Sequence, residues 1–285
     1  MEINKLVILD KNNFNKEQKQ ELKKLAFETI IYDDLPKDDK EAIKRIGDAD
    51  AVIVCWYSIN KNILDACPDI KYLGIVATGV EWCDVNYAFK KRIFVTNVPA
   101  YSTNAVSNFV FKQLEETNIE DKTLGVIGLG NIGKRVAKIG ESKSLNVICW
   151  DRTFKEDYKI MSIEEIFKKA DIITIHLKLV QDTEKIIKNA YLDLMKKGSI
   201  IINTVSPKLF EDTNYLISIV NSKNIMLILD FDEDKNLSGL AKTNKNIIYT
   251  PHIAWKSNES IFNLHQIAIE NLQAYLKGQK KNRVE

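Results

Sequence analysis

The sequence predicts an α/β protein of two domains, each built on a parallel sheet, and three observations carry that expectation. Its 285 residues exceed what one hydrophobic core usually encloses, so two domains are the default. Short apolar runs alternate with amphipathic stretches, as strands joined by crossover helices do. In the middle, Thr123 to Ile139 reads TLGVIGLGNIGKRVAKI, an apolar run followed at once by Gly128, Gly130 and Gly133, the pattern of a strand turning directly into a helix.

In chain order, strands are expected at Lys5 to Leu9, Thr29 to Tyr32, Ala51 to Cys55, Lys71 to Val76 and Ile93 to Thr96. Phe14 to Leu25 and Asp39 to Ile46 space apolar residues among Lys, Glu and Gln, so helices are expected there. Open parallel sheets bind ligands beyond the carboxyl ends of their strands. The turn Ala77, Thr78, Gly79 and Val80 after the fourth strand is therefore a candidate anion-contacting loop, with an ordinary turn as the alternative. Asn97 to Ser102 breaks the alternation with Pro99 and a cap before a helix over Thr103 to Glu116, and a domain boundary is expected there.

The second unit repeats the alternation, with strands at Leu124 to Ile127, Asn146 to Trp150, Asp171 to Ile175, Ser199 to Ile202, Met226 to Leu229 and Ile247 to Tyr249. Ser162 and Glu165 have the spacing of a capping box. Ser257 to Lys277 predicts a long amphipathic helix with Ile261, Leu264, Ala268, Leu272 and Tyr275 along one stripe, stopped by Gly278. His265 on that helix is expected at the surface.

Composition excludes several function classes. Hydrophobic residues at 45%, charged residues at 28% and a net charge of +2 describe an ordinary globular protein and give no reason to invoke nucleic acid or a membrane. No apolar run reaches the length of a membrane span, and MEINKLVILD starts straight into a strand, so a cytoplasmic location is expected. Cys55, Cys67, Cys83 and Cys149 form no Cys-x-x-Cys pair and no histidines complete a zinc set, so reduced, mostly buried thiols and no metal are expected.

The glycine loop carries the chemistry. Gly128 permits a tight turn, Gly130 lets backbone approach a pyrophosphate, and Gly133 lets helix pack on strand, leaving the helix's first N–H groups for phosphate. The next strand ends in Asp151, roughly 20 residues on, where an acid meets ribose hydroxyls. That acid favours NAD over NADP. Arg152 is expected to be solvated or on the adenine side.

These residues resemble those of the D-2-hydroxyacid dehydrogenase family over most of the chain. IVATGVEWCDV is similar to that family's substrate loop, TNVPAYSTNAV to the segment leading into its cofactor domain, TLGVIGLGNIGKRVAKI to its glycine loop, IINT to a strand end, and YTPHIAW to its catalytic histidine segment. The resemblance implies two Rossmann-like domains with a cleft between them: residues 1–98 with 265–285 for substrate, residues 99–264 for NAD. It implies His252 as the group that exchanges a proton with the substrate oxygen, and substrate contacts at Ala77, Thr78, Gly79 and Ser206. Cofactor contacts are implied at Gly128, Gly130, Asn131, Ile132, Asp151, Arg152, His176, Leu177, Thr183, Thr204, Asp230 and His252.

The chain also departs from the family pattern. Ser206 stands where the family has an arginine, and a short neutral side chain does not replace a bidentate cation. Lys208 lies two positions on, as a cleft cation or a solvated loop residue. Counting from Asp230 without gaps puts Lys235 in the place of the family's glutamate, and a shift of one puts Asp234 there. Asp232, Glu233 and Asp234 form an acidic run that supplies a partner for His252 or a solvated turn. Only Thr117 to Lys122 separate the Thr103 helix from the glycine-loop strand, whereas relatives carry a longer segment that includes part of a dimerisation arm, so a homodimer is open. Two functions follow as alternatives: an NAD-dependent oxidoreductase on a small 2-hydroxy or 2-oxo acid, or an NAD-binding regulatory protein without turnover.

Overall fold

The computed structural model describes residues 1–231 and 234–284, and the chain divides into two compact units. Met1–Tyr101 with Ser257–Glu285 form the first, and Ser102–Lys256 the second. In the first, β1 (Lys5–Ile8), α1 (Lys16–Leu22), β2 (Glu28–Ile31), α2 (Asp39–Ile46), β3 (Ala51–Val54), α3 (Lys61–Ala66), β4 (Tyr72–Ile75), α4 (Val85–Lys90) and β5 (Phe94–Thr96) alternate. The sheet order is β2-β1-β3-β4-β5, parallel throughout. β3 and β4 are buried at every position, as strands covered by helices on both faces must be. Asn15 opens α1 with a reciprocal cap to Gln18, so that helix starts two residues later than its apolar spacing suggests.

The second unit runs α5 (Thr103–Lys112), β6 (Thr123–Ile127), α6 (Asn131–Ser142), β7 (Asn146–Trp150), α7 (Ile163–Lys169), β8 (Ile172–Ile175), α8 (Asn189–Asp193), β9 (Ile200–Asn203), a 3₁₀ turn at Pro207–Leu209, α9 (Thr213–Lys223), β10 (Met226–Phe231), α10 (Lys235–Ala241) and β11 (Ile247–Pro251). Its sheet is β11-β10-β9-β8-β6-β7, again parallel. Six parallel strands put every strand's carboxyl end on one edge of the sheet, which decides where loop residues can meet. Ser162 accepts the Glu165 N–H at 3.1 Å, one half of the expected capping box. The Glu165 carboxylate turns away to Lys169 at 2.8 Å.

The last helix, α11 (Asn258–Leu276), returns to the first unit. Tyr275 places its ring 5.0 Å from those of both Tyr72 and Phe94. His265, expected at the surface, is only 3% exposed. Its ring meets Phe14 edge-on at 4.5 Å, its Nδ1 pairs with the Ile261 carbonyl, and its Nε2 takes the Asn13 N–H. It sits beside Leu264 on the buried face, and its two nitrogens are satisfied locally, which is what lets a polar ring be buried there. A boundary at 264/265 divides α11, whereas the structure divides the chain at 256/257, before the helix begins; at the other junction it divides at 101/102 rather than 98/99. Among the described residues no helix is long and apolar enough to cross a membrane.

Candidate functional site

In the second unit the chain leaves β6 for β7 on one side and then crosses to β8 on the other. The switch between β6 and β8 is where such sheets open a crevice for ligand. The glycine loop fills that position. Gly128 has φ +96°, and a Cβ there would lie 2.7 Å from the His176 carbonyl oxygen. At Gly133 a Cβ would fall 1.8 Å from the Gly128 carbonyl oxygen, so α6 can approach β6 only with glycine. Among the described residues, nothing lies within 4 Å of where a Cβ of Gly130, the N-cap of α6, would stand, and no side chain caps this helix. Asn131 and Ile132 follow in its first turn, where backbone donors have no intrahelical acceptor.

Asp151 ends β7 and reaches back to the loop. Its Oδ2 accepts the Leu129 N–H at 2.7 Å, and its Oδ1 accepts from Thr153 N and Oγ1 at 3.0 and 2.8 Å. Burial raises its pKa, but these donors outweigh it and hold the carboxyl below the usual range. Oδ1 is saturated, while Oδ2 retains one lone pair for a hydroxyl. Arg152 extends outward to Asp182 at 3.3 Å, with both side chains exposed. Leu177 covers Gly128. Thr183 is buried and ties its own loop, donating to the Lys178 carbonyl and accepting the Val180 N–H.

His176 follows β8, and its backbone N–H donates to the Ile127 carbonyl at 2.8 Å. Its Nε2 lies 2.7 Å from Thr174 Oγ1. Its Nδ1 is buried with no hydrogen-bond partner among the described residues. Burial drives the pKa down to about 3, so the ring is neutral.

His252 stands after β11 with φ +50°, a left-handed conformation rare outside glycine. The turn around it is held by one buried carboxylate. Asp230, fully buried at the end of β10, accepts Thr250 Oγ1 at 2.5 Å and the N–H groups of Ile253 and Ala254 at 2.8 Å each. Asp230 thus spends its charge on shaping the histidine turn. Beside it, Asn203 at the end of β9 binds the Val205 N–H and the Ser206 carbonyl. Thr204 lies within this loop, half-buried. Ser206 caps the 3₁₀ turn through Lys208 N, and Lys208 is exposed. Asp234 caps α10 through Oδ1, and Lys235 is the first residue of that helix. Asp232 and Glu233 lie outside the described residues.

The first unit has its own switch point between β1 and β3. Asp10, which the sequence reading passed over, accepts the backbone N–H groups of Cys55, Trp56 and Tyr57 there. In the loop after β4, the Ala77 carbonyl accepts from Val98 N, the Thr78 carbonyl from Asn97 and the Gly79 carbonyl from Trp82. The N–H groups of Thr78 and Gly79 donate to nothing among the described residues.

Asp10, Asn203 and Thr174 were not singled out from sequence. Asp10 and Asn203 share a signal that finds them, a polar residue directly after an apolar strand. Thr174 shares one strand face with His176, two residues away.

Among the described residues no cluster of His, Cys, Asp or Glu suits a metal. A family model for the D-isomer specific 2-hydroxyacid dehydrogenase NAD binding domain matches residues 94–254. The chain is 30% identical to a hydroxypyruvate reductase of Blautia hydrogenotrophica, over 90% of this chain and 91% of that one. It is 26% identical to a glycerate dehydrogenase of Methylorubrum extorquens, over 86% and 88%. Among solved structures it is similar to an acyclic imino acid reductase in complex with NADPH and D-Arg, at 29% identity and TM-score 0.83 over 99% of this chain and 100% of the other. A D-lactate dehydrogenase from Aquifex aeolicus complexed with NAD and lactic acid gives 27% identity and TM-score 0.75 over 99% of each.

Proposed function

This chain belongs to the D-isomer specific 2-hydroxyacid dehydrogenase family, and from that premise we propose that it is an NAD-dependent oxidoreductase interconverting a small 2-hydroxy acid and its 2-oxo acid. The observation that carries the proposal is the cradle at the β6–β8 switch: an uncapped helix start whose Gly130 faces open space. Anionic phosphate is stabilised at such a helix terminus by free N–H groups and the helix dipole. The residues fit NAD. Gly128, Gly130, Asn131 and Ile132 would hold the pyrophosphate, Asp151 Oδ2 a ribose hydroxyl, and Leu177, Thr183, Thr204 and Asp230 shape the walls, with Arg152 at the adenine side. When bound, NAD supplies a nicotinamide that gives or accepts hydride.

His252 supplies the proton. An imidazole can both give and take a proton, so it serves both directions of the reaction. Asp230 fixes the turn that presents it. Asp234 Oδ2 makes no hydrogen bond among the described residues while Oδ1 caps α10, so Oδ2 is the oxygen available to the imidazolium. Ser206, which caps the 3₁₀ turn, is the residue we align with the family's arginine, a neutral side chain in place of a cation. Within the first unit, the unspent N–H groups of Thr78 and Gly79 are donors of the kind that suit an anion, pre-oriented by carbonyls already engaged. The free cysteines suit a reducing cytoplasm.

The test is a turnover screen of hydroxypyruvate, glyoxylate and other 2-oxo acids with NADH. His252→Ala should cut kcat by roughly 10²- to 10⁴-fold and leave NADH binding intact. Unchanged kcat removes His252 from the mechanism.

A further inference from the structure

Thr174 in β8 and His176 just beyond its end specify something that the functional proposal leaves open. Thr174 and His176 are two residues apart, so their side chains lie on the same side of the strand. The Thr174 hydroxyl, fully buried, has one recorded partner, His176 Nε2 at 2.7 Å. His176 Nδ1 is buried and unpartnered among the described residues.

Two proton arrangements are possible, and they are not equal. If Nε2 carries the proton, Thr174 accepts it, and both the hydroxyl hydrogen and the Nδ1 lone pair are left buried without partners. If Thr174 donates to Nε2, only the Nδ1 proton is left. An unmade buried hydrogen bond is costly, so the arrangement that leaves one rather than two prevails.

We infer that Thr174 is a positioning residue that locks His176 in the Nδ1–H tautomer, making it a fixed hydrogen-bond donor to an acceptor oxygen of the dinucleotide. The location supports this: the His176 carbonyl lies against the Gly128 turn, and its N–H is tied to Ile127 at the end of β6. The residue's backbone therefore sits at the β6–β8 switch, beside the Gly128 turn. Because burial keeps the ring neutral down to about pH 3, the donor does not change with pH across the working range. The inference rests on the cofactor assignment for its ligand, but the tautomer is a property of the unliganded protein.

Nitrogen-15 NMR of the histidines without ligand tests the tautomer, and NADH titration by fluorescence tests the donor. In the wild type the His176 Nε2 signal should be that of an acceptor nitrogen and Nδ1 that of a protonated one. Thr174→Val should mix the tautomers and weaken NADH roughly tenfold, whereas Thr174→Ser should restore both readouts. His176→Asn keeps a donor near the Nδ1 position and should bind NADH nearly as the wild type does. His176→Gln places its amide near Nε2 and should lose roughly tenfold. Equal loss in Asn and Gln variants, or a wild-type ring protonated at Nε2, overturns the inference. A wild type that takes up no NADH overturns the cofactor assignment, and the NMR result then still decides the tautomer.

Discussion

At residue scale the site depends on buried carboxylates that organise backbone. Asp230 gathers a threonine hydroxyl and two N–H groups around His252, so Asp230→Asn replaces one acceptor oxygen by a donor facing a donor. Urea unfolding should show a loss of about 1–3 kcal/mol, and kcat should fall more than NADH affinity, since the histidine turn is what loosens. Equal falls in both would make Asp230 a direct cofactor contact instead. The glycines, Asp151 and His252 could be picked out as candidates from the sequence because each sits in a motif of fixed spacing. Asp230 could be picked out as a candidate but not as a clamp, since its partners come from the following strand's turn. His265 was misread as exposed because helical spacing gives a residue's angle on the helix, while its partners on the other side, Asn13 and Phe14, are some 250 residues away in the chain.

At the scale of elements, the β6–α6 junction separates two kinds of glycine. Gly133→Ala drives a methyl into the Gly128 carbonyl at 1.8 Å, and a thermal melt should show at least the roughly 1–3 kcal/mol of overpacking or no folded protein. Gly130→Ala meets nothing and should leave the melt within about 0.5 kcal/mol, yet weaken NADH in a fluorescence titration. Gly130→Asp should abolish NADH binding by setting a carboxylate against the phosphates; retained binding would displace the cofactor from this loop. β3 and β4 were readable from apolar runs, because strands buried on both faces have no polar positions to blur them. Helix ends were less so. Capping by Asn15 and the early stop of α5 at Lys112 depend on single side chains and local turns, which periodicity averages over.

For the whole molecule, two buried histidines set an acid limit. Burial lowers the pKa of both His176, to about 3, and His265 from an ordinary 6.5. In the unfolded chain both bind protons below about pH 6.5, while in the folded protein they stay neutral. The unfolded state then holds more protons, so stability is complete above pH 6.5 and declines as pH falls toward the folded values. Urea midpoints between pH 7 and 4 should fall accordingly, and His265→Asn should flatten part of the slope. A slope unchanged by that substitution would assign the acid sensitivity to His176 or to carboxylates rather than to His265. The alternation of elements made the two-unit plan readable, but the place where the final helix joins the first unit was not, because α11 pairs with Tyr72, Phe94 and Phe14 through aromatic contacts that no local pattern encodes.

That return of α11 has a consequence during biosynthesis. The opening sheet leaves the ribosome first, yet the helix that covers its Tyr72 and Phe94 rings is translated only after Lys256. At the usual elongation rates of about 5–20 residues per second, the nascent amino-terminal sheet waits roughly ten to thirty seconds with an uncovered aromatic flank, an interval in which a chaperone has something to hold.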